Sequence, residues 1–139
     1  VQLDRAIDLF LAGDHLCAVT LAGAAEEILG FLARAAGNEN AVDYIALYHG
    51  PEFAAAGEPM TKKDIVAALN RARNGAKHAD AGGDTLAIDW ADSMALLMRA
   101  IPMLRELGVR SGSHERFREW LVANTERIKA DMGEAPAST

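Results

Sequence analysis

The sequence predicts an all-α protein: one helical bundle of about five main helices, pairing with a second copy about a two-fold axis. Three observations carry the fold class. Half of the 139 residues are hydrophobic but only 6% are aromatic. Alanine is abundant while β-branched residues rarely cluster, which favours packed helices over a sheet. Apolar residues recur three and four positions apart along most of the chain, the spacing of a helix face. The length suits one sizeable core and no second, so residues 1–132 read as one domain and 133–139 as a disordered tail.

The elements follow in order. Leu3, Ile7, Phe10 and Leu11 set a first helix over Gln2 to Ala12, and Gly13 stops it. Asp14 can cap a second helix that runs to about Ala36, with Leu21, Ala25, Ile28 and Leu32 as its apolar line. Its segment Ala22-Gly23-Ala24-Ala25 is narrow enough for a neighbour to approach closely. The apolar stretch has the length of a membrane span, but Glu26 and Glu27 stand in its middle and Arg34 near its end, so it reads as the central helix of a soluble bundle. Gly37-Asn38 closes it. A short helix follows over Ala41 to Tyr48, and then Gly50-Pro51 and Gly57-Glu58-Pro59 mark irregular chain.

Thr61 and Asp64 form a capping-box variant that opens the next helix, with Ile65, Leu69, Ala72, Ala76 and Ala79 as its core stripe. Ala81-Gly82-Gly83-Asp84 is a turn. Asp89 starts a helix with Trp90, Met94, Leu97, Ile101 and Leu104 on one face, which Pro102 should kink near its end. After Ser111-Gly112-Ser113, a last helix over His114 to Met132 packs through Phe117, Leu121 and Ile128.

A net charge of −6 and a pI near 5.1 exclude a general, salt-driven nucleic-acid binder with a basic surface, but not a local basic site. Between Lys62 and His78 the charges are Lys62, Lys63, Arg71, Arg73 and Lys77 against Asp64 alone. The single cysteine, Cys17, excludes a disulfide framework and a multi-cysteine zinc site, and fits a reducing, cytoplasmic setting. No cleavable signal is evident. His15, His49 and His114 lack partners at ligand spacing, and Asp80, Asp84 and Asp89 miss the calcium-loop pattern, so no metal or cofactor is expected. Met94, Met98 and Met103 read as core filling, Trp90 and Trp120 as core anchors, and Glu26 and Glu27 as an exposed edge.

The chemistry concentrates in Arg73-Asn74-Gly75-Ala76-Lys77-His78. An Arg and a His can hold a phosphate diester and move a proton beside it without a metal. On a helical wheel Arg73 and Lys77 fall on one outer flank, and Arg71, Asn74 and His78 on the other or on the outermost line, so none points into the core. Five positions amount to roughly 140° of rotation, which keeps Arg73 and His78 from converging on a straight helix. A distortion at Gly75 or a second copy of the chain must bring them together. Arg71, nearly above His78, is a third route. The bland alternatives are a solvated basic flank for Arg73 and Lys77, and a helix C-terminal cap for His78.

In this setting Leu69-Asn70-Arg71-Ala72-Arg73-Asn74-Gly75-Ala76-Lys77-His78 resembles the signature of the HEPN (higher eukaryotes and prokaryotes nucleotide-binding) domains: Arg, a polar residue, a few variable positions, then His. The Ala-rich second helix with Glu26-Glu27-Ile28-Leu29, and the segment Met98-Arg99-Ala100-Ile101, extend the resemblance from about Asp4 to Leu107. It implies an all-α homodimer and, in active branches, a metal-independent endoribonuclease of toxin or defence type. Arg73 would hold the scissile phosphate, Asn74 orient the site, and His78 serve as acid or base around attack by the ribose 2′-hydroxyl; Arg71 and Lys77 would add phosphate or RNA contacts. Implied partners are RNA or a nucleotide, and an antitoxin or nucleotidyltransferase, with no membrane. Members beside a nucleotidyltransferase carry a Tyr two positions after the His; Asp80 stands there, so regulation through that Tyr is not supported. The alternative function is a non-catalytic nucleotide-binding or protein-interaction module using the same basic face.

Overall fold

A computed structural model describes residues 1–48, 61–77 and 87–131. His49, His78, Ala79, Asp80, the turn at 81–84, the irregular chain at 50–59, Met132 and the tail at 133–139 lie outside the described residues. Among the described residues there are seven helices and no strands: α1 Gln2–Leu11, α2 His15–Ala35, α3 Ala41–Tyr48, α4 Lys62–Lys77, α5 Trp90–Glu106, α6 Gly112–Ala123 and α7 Thr125–Asp131. The protein is all-α, as its composition predicts.

The count exceeds five main helices because the short Ala41–Tyr48 piece is a full element and the expected last helix is two. Asn124 separates them: its side-chain amide donates to the Trp120 carbonyl at 2.9 Å, and the Thr125 hydroxyl to the Leu121 and Val122 carbonyls. Side-chain groups thus take carbonyls that a continuing helix would use. Pro102 lies inside α5, which continues past it to Glu106.

The helix limits rest on local chemistry. Asp14 accepts from the Cys17 N–H, Thr61 and Asp64 cap each other reciprocally, and Asp89 with Asp92 forms a complete capping box. Gly13 and Gly37 adopt φ of 84° and 81°, and at each the two following-turn bonds of a Schellman motif close the helix.

The core is built on α2, which packs against α1 and α5, while α4 lies on α2 and α3 and α6 on α1. Phe10 meets Phe117 and Trp120 edge-on, at 4.6 Å between centroids for Trp120, while the Phe117 and Trp120 rings lie parallel. The inward face of α2 is rotated from the expected line: Ala18, Val19, Ala22, Ala25, Leu29 and Ala33 are buried, while Ile28, Phe31 and Leu32 are exposed. Small residues win the interior because they let three helices close on α2 at once. This helix retains the length and hydropathy of a membrane span, with half of the apolar window buried inside the fold.

Candidate functional site

The inward face of α4 also differs from its apolar stripe. Ala72 is buried as expected, but so is Asn70, and Arg73 turns toward α2 instead of outward. The cause is Glu26. Far from lying on an exposed edge, its carboxylate is 4% exposed and receives the Arg73 Nη1–H at 3.0 Å. The other carboxylate oxygen faces the Arg99 Nε at 3.4 Å. Arg99, itself 4% exposed, reaches from α5 and donates Nη1–H to the Leu69 carbonyl at 2.7 Å. Three helices therefore meet at one carboxylate shared by two guanidinium groups.

Gly23 makes the approach possible. A Cβ there would stand 2.5 Å from Arg73 Cγ, so the arm of Arg73 lies directly on the bare backbone of α2. The close neighbour expected at Ala22-Gly23 is thus a side chain, not a helix backbone.

The cluster has one surplus positive charge. Burial pushes the Arg99 guanidinium below its ordinary range, Glu26 raises it and Arg73 lowers it further; an arginine nonetheless stays charged at neutral pH. Three buried atoms are left without a hydrogen bond: the Asn70 side-chain oxygen, the Arg99 Nη2 and the Arg99 Nε, which faces Glu26 as an ion pair only.

This cluster forms one wall of a cleft of about 240 Å³ between α2, α3 and α4. Gly30, Val66 and Asn70 line it, and Arg73, with 19% of its side chain exposed, gives it a cationic edge. Across from these lie Glu27, Arg34, Asn40 and Asp43. Asn40 caps α3 by a reciprocal bond with Asp43, both contacts at 2.8 Å, and Arg34 approaches the same Asp43 at 3.7 Å. The cleft is polar and of mixed charge.

Of the sequence-based site residues, Arg73 is at the cleft, whereas Arg71 and Asn74 are exposed on other sides of α4. Arg71 lines a separate shallow depression with Asp92 and Ala95. Lys77 ends α4, but its side chain and His78 lie outside the described residues, so the convergence of Arg73 with His78 is not among the observed contacts. No set of His, Cys, Asp or Glu side chains among the described residues could hold a metal ion. Glu26, Asn70 and Arg99 are the site residues that sequence reasoning missed. Their signal is opposite charges placed inside two otherwise apolar helices, where each needs the other.

No family model, curated protein or solved structure matches the chain.

Proposed function

We propose that this protein is a HEPN-like module that recognises a phosphate group of RNA or a nucleotide through Arg73, and that with His78 it cleaves RNA without a metal. The observation carrying the reading is the shared carboxylate: Glu26 holds Arg73 at the cleft and also faces Arg99, so these three residues carry one more positive than negative charge, with Arg73 bordering open space. Only Nη1 of Arg73 bonds to Glu26, so most of its five N–H donors remain for a ligand. A guanidinium fixed in advance stabilises a developing anionic phosphate without reorganising.

In the cleaving form, His78 takes the 2′-hydroxyl proton as that oxygen attacks phosphorus. The 5′-oxygen leaves with a proton taken from water, and Arg73 offsets charge on the non-bridging oxygens. Asn74 orients the RNA from the exposed side of the helix. A second copy supplies the convergence that a straight helix denies. Ile28, Phe31 and Leu32, beside the cleft residues Glu27 and Gly30, offer an exposed apolar strip for that contact. A toxin or defence role, with an antitoxin or nucleotidyltransferase partner, belongs to the same proposal.

The second reading is a nucleotide-binding module without turnover. Glu27 and Asp43 on the cleft wall favour it, because they repel an extended polyanion but tolerate one phosphate near Arg73. Incubating RNA with the protein in EDTA separates the two. Cleavage leaving 2′,3′-cyclic phosphate ends, lost in His78→Ala at unchanged stability, supports the nuclease. No cleavage, with nucleotide-dependent thermal stabilisation lost in Arg73→Gln, supports the binding module. Absence of both overturns the phosphate assignment, and a monomer by light scattering at micromolar concentration overturns the shared site.

A further inference from the structure

Away from the cleft, a second cavity of about 220 Å³ opens between α5 and α6. Its floor is apolar: Met98, Ile101, Phe117 and Leu121 line it. Its rim is cationic. Arg105 and Arg110 both line the opening, and neither has an ion-pair partner among the described residues. Arg118 is matched by Glu115 at 3.5 Å. In a chain of net charge −6, two unmatched guanidinium groups over an apolar hollow form a local field of opposite sign.

Two further features point the same way. The N-cap residue of α6, Ser111, does not cap it: its hydroxyl donates to the Asp4 carboxylate instead. The first N–H groups of α6, on Gly112 and Ser113, have no acceptor among the described residues, and the residues that flank them, Ser111 and His114, line the cavity. His114, in the first turn of α6, also lines the cavity. It is 6% exposed, and neither ring nitrogen has a hydrogen-bond partner. A buried imidazole with both nitrogens unmet is costly, and a polar group entering beside it would remove part of that cost.

We infer that this cavity is a binding site for a small organic carboxylate, with an aromatic or branched apolar body on Met98, Ile101, Phe117 and Leu121 and its anionic group between Arg105, Arg110 and the start of α6. The size excludes a large ligand, since the cavity is below the usual range for drug-sized molecules. A dianion fits poorly, because Glu115 stands on the rim and Asp4 lies behind Ser111. The site is separate from the phosphate cleft and independent of the function proposed for it.

Phenylacetate, 2-phenylethanol and inorganic phosphate are suitable probes, titrated into the whole protein by calorimetry and by NMR of the His114 ring nitrogens. The expected result is saturable phenylacetate binding that moves the His114 signals and weakens at least tenfold in Arg105→Gln/Arg110→Gln, whose positions are exposed and spare the core. The alcohol should bind at least tenfold more weakly, and phosphate should leave the His114 signals unmoved. Leu121→Trp, which fills the floor, should abolish binding while both arginines remain. Equal binding of acid and alcohol, equal binding of phosphate, an unchanged double arginine variant, or no phenylacetate binding to the wild-type protein would each overturn the assignment.

Discussion

Replacing Glu26 with Gln tests the central feature of the structure, because it removes one charge and almost no volume. In the native cluster the carboxylate is 4% exposed, 3.0 Å from Arg73 Nη1 and 3.4 Å from Arg99 Nε. Without it, two guanidinium groups face each other across a neutral amide, and Arg99, 4% exposed, keeps only the Leu69 carbonyl. Removing one partner of a buried ion pair costs about 3–5 kcal/mol, most of it for the charge left behind. Arg73 sits at the cleft edge and can swing toward water, which limits its share, so the lower half of that range is expected. For a chain of this size that corresponds to a Tm lowered on the order of 10 °C. Urea denaturation with an unchanged m-value is the assay. A loss below about 1 kcal/mol would mean that neither arginine depends on the carboxylate. A second variant separates structure from chemistry: Glu26→Leu with Arg73→Met and Arg99→Met should recover much of the stability, as apolar replacements of buried ion clusters do, and still lose phosphate binding.

Gly23→Ala should destabilise by about 1–3 kcal/mol and weaken nucleotide binding together, because the new Cβ meets Arg73 Cγ at 2.5 Å and displaces the arm; parallel melting and binding titrations check it, and unchanged binding would separate Gly23 from the site. Asp89→Ala should cost about 1 kcal/mol by removing the capping box of α5, read from the urea midpoint. His114 adds a pH dependence. Burial pushes its pKa below 6.5, with Arg105 of α5 lowering it and Asp4 of α1 and Glu115 of α6 raising it. Because the unfolded chain then takes up the proton more readily, this part of the stability is present above pH 6.5 and is lost as pH falls. His114→Phe should narrow the difference in Tm between pH 7.5 and pH 5.5; an unaltered difference would refute it.

The helices were legible where local chemistry sets them. Asp14, Thr61 with Asp64, and Asp89 act as caps, and Gly13 and Gly37 as stops, because each works through bonds within a few residues. The orientation of the helices was less legible. An apolar stripe assigns the inward direction by hydrophobicity alone, which placed Ile28 and Leu32 inside and Arg73 outside. The packed bundle reverses both, since alanines and glycines on α2 let neighbours come closer than Ile or Leu would. Burial of Arg73 becomes favourable only when Glu26 is known to meet it, and that is a tertiary fact carried by a pair 47 positions apart in the sequence.

The same three residues decide how much weight the motif can bear. An arginine on a solvated flank needs no explanation, but one laid over a glycine and bonded to a buried carboxylate has been given a fixed position at real cost. A purely structural ion pair would balance its charges, as a single Arg with Glu26 would do. Here Arg99 already faces that carboxylate and is nearly enclosed, while Arg73, the more exposed of the two, borders the cleft. The surplus charge therefore lies beside the most exposed member of the cluster, at the edge of the cleft. On this reasoning Arg73→Lys should fold well, since an ammonium can still pair with Glu26, yet bind phosphate more weakly because the planar fork is lost.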